Sequence, residues 1–201
     1  MLQTNLLPSM IDKRELVGMK RELSGLAETK IEQNTVSREV VRKSKELIYS
    51  IHRGDMKAAA KRASEMKADR RRLERVSGTE KLRAQYSYSI AVQEYVEALA
   101  YYELLTRRRL PTRKQLKADT ECYLMGLSDL TGELVRKAVD DMIKERYGHA
   151  VWLKDVVAEI YGAMLNLDFE GGEARKKSDQ VKWNLSKLED LVYEATVRGK
   201  I

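Results

Sequence analysis

Two closely spaced pairs of carboxylates stand in two runs whose residues are mostly those of buried helices. Residues 91–104 read AVQEYVEALAYYEL and residues 123–136 read YLMGLSDLTGELVR. Glu94 and Glu97 are three apart in the first, and Asp129 and Glu133 four apart in the second. Either spacing sends both side chains from one face of a helix toward a common spot. A buried carboxylate without compensation costs several kcal/mol, so groups of this kind persist inside a bundle only with a cation, a proton or a network of donors.

A divalent metal would give such a cluster a chemistry. Carboxylates alone repel a phosphodiester. With Mg²⁺ or Mn²⁺ between them they could stabilise charge on a non-bridging oxygen and poise a bound water for in-line attack. Hydrolysis of that kind leaves 5′-phosphate and 3′-hydroxyl ends, whereas attack by a ribose 2′-hydroxyl would leave a cyclic phosphate. A di-iron centre, the rival use of inward carboxylates, asks for Glu-x-x-His, and neither His52 nor His149 stands three after a glutamate. Two histidines in the chain also argue against a paired-histidine ribonuclease, and each reads as a surface or satisfied residue. Spacing alone leaves a second reading open: Arg136, one turn beyond Glu133, and the tyrosines near Glu94 and Glu97 could satisfy the carboxylates within the fold.

Charge points to the partner. The net charge is +7, which favours a polyanion, nucleic acid before membrane. Arg38, Arg42, Lys43 and Lys45 lie on the polar side of the first helical run, and Lys57, Lys61, Arg62, Lys67, Arg70, Arg71, Arg72 and Arg75 make residues 56–76 the densest basic segment. Of these, Arg38, Arg42, Lys45, Lys61, Arg70 and Arg71 are the candidate phosphate contacts, with solvated faces and pairing to Glu65, Asp69 and Glu74 as the plainer alternative. Tyr86, Tyr88, Tyr95, Tyr101 and Tyr102 could stack on unpaired bases or simply pack. The single Cys122 reads as a small core residue, and one cysteine cannot form an internal disulfide, which fits a reducing, cytoplasmic setting. The sequence holds no long uncharged run that could span a bilayer, and its N-terminus lacks the pattern of a signal peptide.

The elements that must position these residues are all helical. Charged residues are 34% and hydrophobic ones 43%, with 2 Pro and 11 Gly, and no alternating strand pattern occurs. Ser9 caps a long first helix that runs to about Arg53. Asp55 caps a second over residues 56–76. Ser77 and Glu80 read as a capping box opening a third helix over about 79–106, and Thr112 with Gln115 as another opening a short segment. A fourth long helix covers about 121–147 and ends at Gly148. Within it Gly126 and Gly132 point to close approach by a neighbouring backbone or ligand. A fifth covers about 150–166, residues 168–172 form a loop, and the last helix covers about 173–198. One all-α domain over 1–201, a bundle of about six or seven helices, is the economical reading.

In these residues the chain resembles the translin and Trax family. Residues 123–136 are similar to the Trax signature helix and residues 93–98, QEYVEA, to its partner. Residues 37–42, SREVVR, with 51–53, IHR, resemble the family's first helix, and 175–199 the closing helix of both branches. The resemblance implies an all-α subunit that assembles into a hollow octamer enclosing RNA or single-stranded DNA. Trax supplies a Mg²⁺-dependent endoribonuclease site to that assembly. Its four carboxylates fall on Glu94, Glu97, Asp129 and Glu133, so the resemblance is to the catalytic branch. With one chain type in hand, a homo-oligomer would have to bind and cut by itself.

Overall fold

The computed structural model describes residues 12–167 and 172–201, with side chains from 175 onward in the last segment. Among the described residues eight helices follow one another: α1 Lys13–His52, α2 Met56–Val76, α3 Glu80–Arg83, α4 Tyr86–Arg107, α5 Arg113–Leu116, α6 Thr120–Ile143, α7 Tyr147–Leu165 and α8 Gly172–Val197. Two of them, α3 and α5, are single turns. Among the described residues there is no strand, and no helix is long and apolar enough to cross a membrane.

The middle of the bundle is α4. It packs on α1 and α2 on one side and on α6 on the other, while α7 and α8 close over α6 and touch each other. Its sequence explains the position: Tyr88, Val92, Tyr95, Val96, Leu99, Tyr101 and Leu104 are all buried, so apolar residues surround most of the helix. A helix of that kind must be covered on several sides. By contrast, α1 is amphipathic only in its second half, where Val36, Val40, Leu47 and Ile51 are buried, and nothing between Lys13 and Glu32 is.

Several turns follow the local chemistry of the sequence. Asp55 accepts from Ala58 N at 2.9 Å, and Gly54 takes the left-handed φ of 75° that ends α1 cheaply. Thr112 and Gln115 form the expected capping box. Asp12 caps α1 and accepts from Arg14 N at 2.8 Å; Ser9, the expected cap, and the 168–171 part of the expected loop lie outside the described residues.

Three boundaries are corrected. Ser77 opens no helix. It terminates α2, is fully buried, and its hydroxyl accepts from Gln33 Nε2 at 2.8 Å, a contact reaching across 44 residues. Thr79 caps the single turn α3 instead, and the chain bends at Ala84 and Gln85 before α4 starts. The third correction concerns Gly148, which lies inside α7. The fourth long helix ends earlier, at Ile143, because Arg146 N bonds the Asp141 carbonyl at 2.7 Å across a left-handed Glu145.

Candidate functional site

The two carboxylate pairs sit on adjoining helices, Glu94 and Glu97 on α4 and Asp129 and Glu133 on α6. What brings the helices together is Gly126, whose missing side chain leaves room for the Gln93 carbonyl and the Val96 side chain. Gly132 has no such role, since a Cβ there would meet Asn184 Nδ2 at an ordinary 3.8 Å.

The proximity has an electrostatic signature. Burial pushes the Glu97 carboxyl up to about 8, and repulsion from Asp129, Glu94 and Glu133 adds to it while Lys177 opposes. Glu94 is raised as well, chiefly by burial; Lys45 pulls it down, and Asp129 and Glu133 push it up. Both glutamates of α4 therefore feel the two carboxylates of α6.

Two residues of the site have no signal in sequence spacing. His52, the last residue of α1, joins its Nε2 to Glu133 Oε2 and tilts against Tyr101 at 5.5 Å between ring centres. Lys177 of α8 donates to Asp129 Oδ1. Of the two readings, surface or satisfied, His52 takes the second: it is a largely buried partner of Glu133, on a helix more than forty residues from the quartet's nearest member. A long-range contact of that kind leaves no periodic trace.

Two cavities flank the quartet. One of about 330 Å³ is lined by Glu94, Glu97 and Glu133 together with Lys45, Tyr49, His52 and Arg136. The other, a groove of about 1180 Å³, reaches Glu94, Asp129 and Lys177 at one end and Tyr86, which is 81% exposed, and Arg83 at the other. Glu94 lines both.

The candidate phosphate contacts divide. Arg38, Arg42, Lys45, Tyr49 and His52 recur at three- and four-residue steps along α1, so they form one stripe. Its end reaches the carboxylates, where Lys45 Nζ lies 4.0 Å from Glu94 Oε1. Arg38 and Arg42 are exposed, the latter paired with Glu46. Lys61 and Arg71 are exposed on α2, and Lys61 stands 3.9 Å from Glu65. Arg70 is different: it is 3% exposed, donates from Nη2 to the Lys117 carbonyl at 2.8 Å, and lies against the rings of Tyr88 and Tyr95. That arginine is an interior residue, not part of an outer basic face. Cys122 is buried as expected, and burial with Asp119 nearby pushes its thiol up to about 12.

In donor type the quartet suits a hard divalent cation, since it offers oxygen ligands alone and their mutual repulsion invites a positive charge. As the side chains stand, Asp129 is engaged by Lys177 and Glu133 by His52. Among the described residues no three His, Cys, Asp or Glu groups converge closely enough to hold a metal.

Residues 31–199 match the family model described as the Translin family. Translin-associated protein X of Rattus norvegicus is 24% identical over 82% of this chain and 71% of its own. Translin of Gallus gallus is 30% identical over 40% of this chain, and the match spans only 35% of that protein's length. The structure resembles that of apo-NeC3PO, 30% identical, with a TM-score of 0.85 over 92% of this chain and 98% of the other. It also resembles AfC3PO in a duplex RNA complex, 23% identical, with a TM-score of 0.79 over 92% and 97%. With a family match that takes in nearly the whole helical bundle, carboxylate helices included, the chain belongs to the translin family.

Proposed function

We propose that this protein binds RNA and cleaves it as a metal-dependent endoribonuclease, working inside a homo-oligomer, with Glu94, Glu97, Asp129 and Glu133 as the metal-holding and catalytic groups. The observation that carries the reading is the end of the α1 stripe: exposed cations from Arg38 to Lys45 lead to the carboxylates of α4 and α6. Cations of this kind hold a phosphate backbone, and a site that cuts it needs acidic ligands beside them. Kinship with the C3PO structures, one of them in a duplex RNA complex, supports the same direction.

The chain's own residues divide the work. Glu94, Glu97, Asp129 and Glu133 would hold Mg²⁺ or Mn²⁺, and such an ion supplies a more acidic bound water and a counter-charge for the phosphate. His52 bonds and so orients Glu133, and Lys177 bonds Asp129, so a cation held by Asp129 would take the lysine's place there. Lys45 and Arg136, on the rim of the smaller cavity, are positioned to hold the phosphate beside the carboxylates. The wider groove, with exposed Tyr86 at its far end, offers a bed for unpaired bases, and single-stranded DNA shares the features it would grip.

A second reading has its own observation. Because His52 and Lys177 already compensate two of the carboxylates, the quartet could be a satisfied network in a binding protein without turnover. One assay separates the two: labelled single-stranded RNA incubated with the pure protein and Mg²⁺, with and without EDTA, beside Asp129→Ala. Cleavage only with metal, giving 5′-phosphate ends, and a folded variant that binds without cutting support the enzyme. RNA retained uncut by both proteins leaves the binding protein.

A further inference from the structure

On the side of α4 away from the carboxylates, a separate cavity of about 320 Å³ opens between the second half of α2, the middle of α4 and the segment from Arg107 to Lys117. Tyr95, Leu99 and Glu103 face it from α4, positions that at 3.6 residues per turn point away from Glu94 and Glu97.

Its charge is unbalanced. Lys67, Arg70, Arg71, Arg107, Arg109 and Lys117 line it against two carboxylates, Glu74 and Glu103. Glu103 is bonded by Lys67 at 3.3 Å and Arg107 at 3.0 Å, and Glu74 faces Arg70 at 3.7 Å and Lys117 at 3.8 Å. Among the described residues Arg71 and Arg109 make no ion pair. Arg70 adds a charge that solvent cannot screen: its Nε and Nη1 are buried with no hydrogen-bond partner. A guanidinium cannot shed its proton, and Glu74 at 3.7 Å, the Lys117 carbonyl at 2.8 Å and the tyrosine faces at 5.6 and 5.8 Å offset its charge only in part. The back of the cavity therefore carries a fixed positive field in low-dielectric surroundings, where attraction to an anion is strongest.

The rest of the lining is Tyr95, Leu99, Pro111, Gln115 and Leu116, apolar but for the Gln115 amide. Tyr95, Leu99 and Leu116, all nearly inaccessible, flank the cations. The volume lies at the small end of the range of about 300–1,000 Å³ for small-ligand sites, too small for a duplex. Excess positive charge selects a multiply charged anion, and the volume admits a small group attached to it. A phosphate monoester carries a charge of about −1.5 to −2 at neutral pH.

We propose that this cavity binds the phosphate monoester of a nucleotide, held by Arg71 and Arg109 in the field of Arg70. The chemistry has two sources, a free mononucleotide or the 5′-phosphorylated end of an RNA. The site is independent of the carboxylate quartet, and so is its test.

Calorimetric titration of the full-length protein in EDTA with adenosine 5′-monophosphate, adenosine and a trinucleotide bearing either a 5′-phosphate or a 5′-hydroxyl decides it. The monophosphate should saturate a site that adenosine does not fill. The Arg71→Ala/Arg109→Ala double variant, with unchanged circular dichroism, should lose about tenfold or more in affinity. Glu97→Gln should bind as the unaltered protein does, which locates the site away from the quartet. If the 5′-phosphate trinucleotide outcompetes its 5′-hydroxyl form and the double variant loses that preference, the source is an RNA end. If only the mononucleotide responds to the double variant, the source is the free nucleotide. Equal binding of adenosine and its monophosphate, no binding of either, or a double variant that binds undiminished overturns the proposal.

Discussion

A Cβ on Gly126 would lie 2.7 Å from the carbonyl oxygen of Gln93, so at this point the backbone of α6 rests directly on that of α4. Asp129 and Glu133 follow within two turns, and Glu94 adjoins Gln93. The contact thus sets how near the two carboxylate pairs stand. Neither a backbone carbonyl nor the Val96 Cβ, also 2.7 Å away, can swing aside. Gly126→Ala should therefore cost about 1–3 kcal/mol by overpacking and lower any metal-dependent cleavage. Gly132→Ala, with no close neighbour, should instead gain up to about 1 kcal/mol of helix propensity. Urea denaturation of the two variants checks both signs; a neutral Gly126→Ala would mean that the helices are not locked at this contact.

A different buried charge fixes the corner between α6 and α7. Asp141 is inaccessible to solvent, and Lys137, His149 and Arg146 all bond its carboxylate, Arg146 Nε at 2.8 Å. Burial works against its charge, but those hydrogen bonds prevail and hold its carboxyl below the usual 3.8. A depressed folded-state value means that the ionised group stabilises the fold above pH 3.8 and loses that contribution as the pH falls through the lower value. Asp141→Ala should cost about 3–5 kcal/mol at neutral pH by leaving its cations uncompensated. The gap between variant and parent should narrow below pH 3.8. Thermal melts across pH 3–8 read it directly, and a gap that stays constant on acidification would contradict the assignment.

How far the sequence alone reaches follows the range of each interaction. Asp55 and the Thr112–Gln115 capping box were legible because a cap bonds within three residues of itself. The carboxylate quartet was legible as two pairs because helical spacing is local, and Gly126 flagged the close approach that unites them. Ser77 misleads for the opposite reason: its pattern satisfies a local rule, yet a buried Gln33 from α1 claims the hydroxyl. His52, Lys177 and the burial of Arg70 all depend on elements distant in sequence. A basic residue in a basic run gives no sign that two tyrosines of α4 and a carbonyl beyond α5 will enclose it.

That last difference separates two kinds of arginine. Arg70→Ala should destabilise the fold by about 2–5 kcal/mol, as loss of a buried, hydrogen-bonded side chain does. Arg38→Ala, at an exposed position without an ion pair among the described residues, should change stability by less than about 0.5 kcal/mol. Its effect should show in RNA binding instead. If Arg38 touches phosphate, its removal flattens the salt dependence, lowering the slope of log K against log salt by about one. Binding isotherms at several salt concentrations measure this, and an unchanged slope would take Arg38 off the RNA path.

Glu97 links pH to the cation that the quartet is proposed to hold. Its carboxyl rises from the ordinary 4.5 to about 8, mainly through burial and then through repulsion by Asp129, Glu94 and Glu133. Between those values the folded protein keeps a proton that the unfolded chain releases. Stability from this residue must therefore fall as the pH climbs from about 4.5 to about 8 and level off beyond. Glu97→Gln, which cannot ionise, should be free of that decline and gain on the parent protein toward alkaline pH. A bound divalent cation acts on the same group in the opposite sense, since it favours the ionised form. Mg²⁺ should raise the melting temperature of the parent most at pH 8 and above, by an amount worth about 2.7 kcal/mol at a hundredfold excess over its dissociation constant. EDTA should reverse the rise, and Glu97→Gln and Asp129→Ala should lose most of it. Melting curves insensitive to Mg²⁺ at every pH would count against a metal site and favour the network in which His52 and Lys177 alone compensate the carboxylates.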